Sequence, residues 1–184
     1  NGLIYQIEKN GRRAEVIASA NKKAVSVTIP STIAIDGTRY PVTSIAKGAF
    51  RNHARLRKVK IGNAVKTIGK RAFFDCRSLT KVTIGKNVVS IGAEAFRGCT
   101  NLKKVAIPAK VTKIGAKAFY NCRKLTNITV KTTKLKAKQI GKGAFKKTGS
   151  SNYRKVRVKI PKKMRTYQKM FRKKGLSSKA RIDR

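Results

Sequence analysis

The sequence predicts a β-rich α/β solenoid of stacked repeats. Three observations carry this: apolar residues recurring at one strict interval, a short β-branched alternation once per interval, and chain ends that break the period. Phe50, Phe73, Phe96 and Phe119 are each separated by 23 residues. Leu56, Leu79, Leu102 and Leu125 keep the same interval, as do Val59, Val82 and Val105, with Ile128 in the fourth place. Cys76, Cys99 and Cys122 form a further ladder whose preceding slot holds His53. One unit of this length cannot bury its own apolar edge, so stability requires that copies stack, each touching its neighbours.

The unit reads clearly from Leu79 to Asn101. Val82 and Ile84 alternate with polar residues, which predicts a short strand. Gly85-Lys86-Asn87 makes a turn, replaced by Pro108 in the following copy. Val88 and Ile91 form a second apolar pair leading into Gly92, and Ala95, Phe96 and Cys99 are spaced for one short helical turn with its apolar side inward. Gly69, Gly92, Gly115 and Gly141 punctuate the copies, one each.

The ends read as caps on one domain over 1–184. In 1–23, Leu3, Tyr5 and Ile7 alternate, Asn10-Gly11 reverses the chain, and Ala14, Val16 and Ala18 alternate: a hairpin with a type I′ turn. The repeats occupy 24–160, opening with Val27 and Ile29 as a first strand. A second hairpin around Asp36-Gly37 interrupts them before Val42 and Ile45 resume the pattern. Phe145 follows Phe119 by 26 residues, which places a three-residue insertion within 131–139. Val156 and Val158 are expected in a last strand. Over 161–184, a basic helix from Pro161 to Lys174 is expected to seal the core with Met164, Tyr167, Met170 and Phe171.

Composition bounds the function. Hydrophobic content of 40% supports a buried core, yet 47 Lys and Arg face only six acidic residues, a net charge of +41. Six carboxylates cannot partner so many cations, so counter-charge comes from solution ions or from a bound partner. No stretch approaches the ~18 consecutive apolar residues of a spanning helix. A chain opening at Asn1-Gly2, with no initiator Met and no apolar leader, is expected to be a module of a longer protein whose targeting signal lies elsewhere.

The pattern LxxVxI…VxxIGxxAFxxCxx, carried by Ile68-Gly69, Ala72-Phe73, Cys76, Leu79, Val82, Ile84 and their copies, closely resembles the BspA-like leucine-rich-repeat family of bacterial surface proteins. The resemblance spans roughly 24–160. The lysine-rich finish, ending Gly175-Leu176-Ser177-Ser178-Lys179-Ala180, is similar to the C-terminal modules of Gram-positive gut anaerobes. It implies a leucine-rich-repeat solenoid, a secreted or cell-surface location, and adhesion or protein binding.

In a strand of the form LxxVxI the third and fifth residues point away from the core. The outward pairs are then Ser26/Thr28, Lys58/Lys60, Lys81/Thr83, Lys104/Ala106, Asn127/Thr129 and Lys155/Arg157. Lys58, Lys81 and Lys104 would form a ladder of like charge. Two such charges ~5 Å apart repel by about 0.8 kcal/mol in bulk water, less with salt. The candidate site for an anionic partner is accordingly Lys58, Lys60, Lys81, Lys104, Lys155 and Arg157. Lys162, Lys163, Arg165, Lys169, Arg172 and Lys173 form a secondary basic cluster on the expected helix.

No catalytic, cofactor or metal site is expected. Glu8, Glu15, Asp36, Asp75, Glu94 and Asp183 are scattered, and the single His has no triad pattern around it. Cysteines recurring once per repeat lack zinc-ligand spacing and suit small core positions. Asn127-Ile128-Thr129 is formally a glycosylation sequon. The expected function is a non-enzymatic surface module binding an anionic wall polymer, a glycosaminoglycan or mucin, or an acidic protein surface. The competing readings are a nucleic-acid binder without sequence preference and a purely structural spacer.

Overall fold

The computed structural model describes residues 2–8, 11–162, 164 and 166–183. The chain winds as a coil of short strands and tight turns around one continuous apolar core. The strands are β1 Leu3–Ile7, β2 Ala14–Ser19, β3 Ser26–Ile29, β4 Thr32–Ile35, β5 Thr38–Ile45, β6 Lys58–Ile61, β7 Thr67–Ile68, β8 Lys81–Thr83, β9 Ser90–Ile91, β10 Lys104–Ile107, β11 Lys113–Ile114, β12 Asn127–Val130, β13 Arg157–Lys159 and β14 Arg181–Asp183; one α-helix, α1, spans Thr166–Lys173. They form two sheets. One runs β1-β2-β5-β7-β9-β11 with β4 on β5, the other β14-β13-β12-β10-β8-β6-β3. Within the repeats every pairing is parallel and offset by one unit, so equivalent side chains stack in columns.

The Phe column is the spine of the core. Phe50, Phe73, Phe96, Phe119 and Phe145 are fully buried and stack with centroids 5.0, 5.2, 5.4 and 5.6 Å apart. Phe145 holds its place despite the insertion, because the extra residues are looped out between β12 and Ile140, with a 3-10 turn at Ala137–Gln139.

The turn bearing each Phe is not the short helix that its spacing suggests. Residues two before and two after the Phe take positive φ: Arg71 and Asp75 around Phe73, Glu94 and Gly98 around Phe96, Lys117 and Asn121 around Phe119. Alternating right- and left-handed residues turns successive N–H groups in different directions. The N–H of Phe50 donates to the Ala72 carbonyl, that of Asn52 to Phe74, that of Phe73 to Ala95 and that of Phe96 to Ala118. A helix would have consumed these donors internally; the observed turn spends them on the next repeat, adding a third ladder to the two sheets.

Both expected hairpins are present. β1 and β2 pair antiparallel, closed by the Glu8 N–H on the Arg13 carbonyl and the Gly11 N–H on the Glu8 carbonyl; Asn10, and with it the expected turn type, lies outside the described residues. β4 and β5 are joined by Asp36 and Gly37, both at positive φ, as a two-residue turn requires.

The C-terminal end departs from expectation. The helix is shorter than 161–174, and it does not finish the array: β14 pairs parallel with β13 as a further strand of the sheet. Together α1 and β14 imitate one more repeat. Phe171 of α1 lies 4.8 Å from Phe145, and the Lys174 carbonyl receives the Phe145 N–H that earlier copies give to a following repeat.

Candidate functional site

The second sheet displays the candidate face. Its register places Ser26, Lys58, Lys81, Lys104, Asn127, Arg157 and Arg181 in one outward column, one residue per strand. All are exposed, while the alternate residues Val59, Val82, Val105, Ile128 and Val158 are buried. Lys58, Lys81 and Lys104 thus stack on adjacent strands, and beyond Asn127 the column resumes with two arginines. Arg181 could not be read from the repeat, because its strand lies outside the 23-residue period.

The neighbouring outward column holds Thr28, Lys60 and Thr83 at one end and Ala106, Thr129, Lys159 and Asp183 at the other. Its short side chains leave a hollow of about 330 Å³ beside Lys81, Lys104, Asn127 and Lys131. Lys60 belongs to this column, and Arg157 to the first. Lys155 does not belong to the face: it sits in a 3-10 turn, Tyr153–Lys155, ahead of β13. Arg157 opposes Asn127 and Lys159 opposes Thr129, so the outward pair of that strand is Arg157/Lys159, two residues later than expected. The expected frame counted outward from Val156, which is buried but precedes the strand.

Carboxylates largely avoid this face. Glu94 is buried on the turn edge, where Arg71 Nε and Arg97 Nη1 both donate to it, the latter at 2.6 Å. Burial alone would push its pKa up, but the hydrogen bonds and charges of the two guanidiniums outweigh that and hold the carboxyl below its usual range. Asp75 pairs with Arg77 at 3.4 Å. Asp183 is the exception, lying on the sheet face at the end strand, where Arg181 Nε reaches it at 2.6 Å. Lys58, Lys81 and Lys104 have no described ion-pair partner.

The turn edge carries a motif the repeat count did not signal. At the position after each core Phe the residues are Arg51, Phe74, Arg97, Tyr120 and Lys146, cation alternating with aromatic up to the end. The guanidiniums of Arg51, Arg71 and Arg97 lie 5.3, 5.6 and 5.3 Å from the Phe74 ring centroid; Arg97 and Lys147 flank Tyr120 at 5.3 and 6.0 Å. Such contacts contribute roughly 0.5–1 kcal/mol each at exposed sites. Together with the Glu94 carboxylate between Arg71 and Arg97, they let the arginines of this edge pack closely.

The secondary basic cluster is only partly assembled. Lys169 and Lys173 are exposed on α1 and Lys162 follows β13; Lys163 and Arg165 lie outside the described residues. Arg172 is committed to structure, its guanidinium donating to the carbonyls of Ser177 (2.6 Å) and Ala180 (3.0 Å) and so fastening the turn after the helix.

The cysteine column has a more specific role than small apolar filler. Cys76, Cys99 and Cys122 donate their thiols to the carbonyls of Phe50, Phe73 and Phe96, at 3.0, 3.1 and 3.1 Å. Thr148 takes the next slot and gives its hydroxyl to Phe119 at 3.1 Å. In the first slot His53 reaches the Asn21 carbonyl at 3.0 Å, and burial, partly offset by that bond, lowers its pKa. Burial raises all three thiol pKa values, that of Cys76 to about 12. A shift of three units leaves roughly a thousandth of the usual thiolate. We therefore expect dithiobis(nitrobenzoate) at pH 8 to leave the folded protein unmodified over an hour and to titrate three thiols in guanidinium. Rapid reaction of even one thiol in the folded state would contradict this burial.

A coil of parallel strands with Leu, Val/Ile and Phe columns and an outward polar sheet face defines a leucine-rich-repeat solenoid. Residues 43–176 match the model of the BspA type leucine-rich repeat region, in six copies, and the chain belongs to that family, whose members are typically surface protein-interaction modules. Among solved structures, the chain is similar to the T. pallidum leucine-rich repeat protein TpLRR: 25% identity over 87% of this chain and 69% of that one, TM-score 0.75. It is likewise similar to a leucine-rich repeat protein from Bacteroides capillosus: 28% identity, 70% of this chain and 94% of that one, TM-score 0.64. A leucine-rich cell surface protein of Faecalibacterium prausnitzii shares the fold at 22% identity, with 80% of this chain and 51% of that one covered and a TM-score of 0.56. No curated protein sequence gives a significant match. No helix among the described residues is long and apolar enough to cross a membrane.

Proposed function

We propose that this module is a non-enzymatic, cell-surface binding domain that takes a linear anionic polymer across the strands of its second sheet. The observation that supports this best is the unbroken register of Lys58, Lys81 and Lys104 on adjacent strands, followed past Asn127 by Arg157 and Arg181. Strands lie ~4.8 Å apart, so from Lys58 to Arg181 the column offers five cations over about 24 Å, with Asn127 the one uncharged step among them. A sulfated or phosphorylated polymer lying along the coil axis relieves their mutual repulsion and releases its own counterions. The hollow beside Lys81 and Lys104 gives room for a sugar unit between charges. Membership of the BspA type family, typically surface protein-interaction modules, supports a location at the cell surface.

Nucleic acid is the weaker candidate. Single-strand binding uses open aromatic faces, whereas Phe74 and Tyr120 on the turn edge are already covered by cations.

The test is charge-matched. K58Q/K81Q/K104Q removes three charges from the face, and K66Q/K70Q/K113Q removes three exposed charges around the other sheet. Heparin affinity, measured by calorimetry near physiological salt, is expected to fall about tenfold or more in the first variant and about twofold or less in the second. The salt slope should fall by roughly 2–3 in the first alone. Equal losses would mean that net charge, and not this face, does the binding. Running DNA of equal charge alongside separates polymer preference from general attraction.

A further inference from the structure

We propose a second site, distinct from the sheet face: the groove between the inserted segment and α1 binds the hydrocarbon tail of a free single-chain anionic amphiphile. The groove encloses about 510 Å³, within the range of ligand clefts. Leu135, Met164 and Met170 supply its apolar lining, and methionine adapts readily to an irregular aliphatic guest. Lys134, Lys136, Lys169 and Lys173 also line it, all exposed, and no carboxylate is among its lining residues. An apolar slot bordered by four ammonium groups and the hydroxyl-bearing Thr133 and Thr166 complements a ligand with one greasy chain and a phosphate, sulfate or carboxylate head.

The backbone chemistry favours this occupant over a peptide. The N–H of Lys134 donates to Thr132 Oγ1 at 3.1 Å, that of Leu135 to Tyr167 Oη at 3.0 Å, and that of Lys136 to Gln139 Oε1 at 2.9 Å. The three central N–H groups of the inserted wall are therefore already committed, and the middle of the groove offers a guest chiefly apolar surface and charge. The wall exists because three extra residues break the 23-residue period between Phe119 and Phe145. Among the described residues no other repeat has the same loop.

Calorimetry with octyl, decyl and dodecyl phosphate, each below its critical micelle concentration, tests the site. Affinity is expected to rise on the order of tenfold for each two added methylenes. Dodecyl maltoside, with the same tail and no charge, is expected to bind about tenfold more weakly. A137W fills the groove from an exposed position without changing charge; it should abolish the chain-length dependence while far-UV circular dichroism and heparin affinity stay as in the parent. K136Q/K169Q should lower alkyl phosphate affinity and leave maltoside affinity unchanged. A flat chain-length series, maltoside binding as tightly as phosphate, or displacement of dodecyl phosphate by an acidic leucine-bearing peptide at lower concentration would each overturn the site. Any of these with heparin binding intact would leave the sheet-face reading standing.

Discussion

Replacing Phe96 by alanine is expected to cost the solenoid about 4 kcal/mol, measured by urea unfolding. The ring is fully buried and stacked on both sides, on Phe73 at 5.2 Å and Phe119 at 5.4 Å. Large-to-small changes at such aromatic positions remove transfer free energy and leave a cavity, together about 3–5 kcal/mol. Each lost ring contact contributes a further fraction. The two flanking rings cannot close the gap, because their backbones are fixed by the ladders that also carry the Phe96 N–H to Ala118. Phe50→Ala should cost about 1 kcal/mol less, since Phe50 has a stacked Phe on one side only and the tilted His53 ring nearby. Equal costs at the two positions would show that the column is not a cooperative stack.

Gly92→Ala should be nearly as damaging, about 3 kcal/mol by the same measurement. A Cβ at that position would lie 2.6 Å from the Gly69 carbonyl carbon and 2.6 Å from the Lys70 nitrogen. Both are backbone atoms and no side chain can rotate away. The turns approach this closely so that the Gly92 N–H can reach the Ile68 carbonyl at 2.8 Å. One methyl group must therefore prise two coils apart. A variant as stable as the parent would mean that neighbouring turns slide freely, which the three ladders argue against.

The fold was legible because its physics is periodic. A residue that must face the core in every coil recurs at the coil length, so Phe, Leu, Val and Cys columns and the punctuating glycines could be read directly. What resisted reading was local backbone conformation. The spacing of Ala95, Phe96 and Cys99 fits a helical turn, yet the turn contains left-handed residues. Asn52, Asp75, Gly98 and Asn121 tolerate that conformation and recur two places after the Phe; this was the available signal. Arg71, Glu94 and Lys117 at the other left-handed place gave none.

The candidate face was legible wherever the period held, which covers Lys58, Lys60, Lys81 and Lys104. It failed after the insertion. With the interval broken, a 3-10 turn at Tyr153–Lys155 intervened, the true frame came two residues later, and Arg157 and Lys159 rather than Lys155 and Arg157 face outward. Arg181 arrives on a three-residue strand too short to declare itself. The lysine-bordered groove is composed of residues outside the repeat pattern, so periodicity could not foretell it.

The three ladders between adjacent coils also set how the molecule yields to force. Every coil is tied to the next along two sheets and a turn edge, but a terminal coil has a neighbour on one side only. Tension on the chain ends would peel the array from an extremity, one coil at a time, and each released coil of 23 residues would pay out about 80 Å of slack. Pulled from both ends, such an array would lengthen in steps while the remaining coils stay folded.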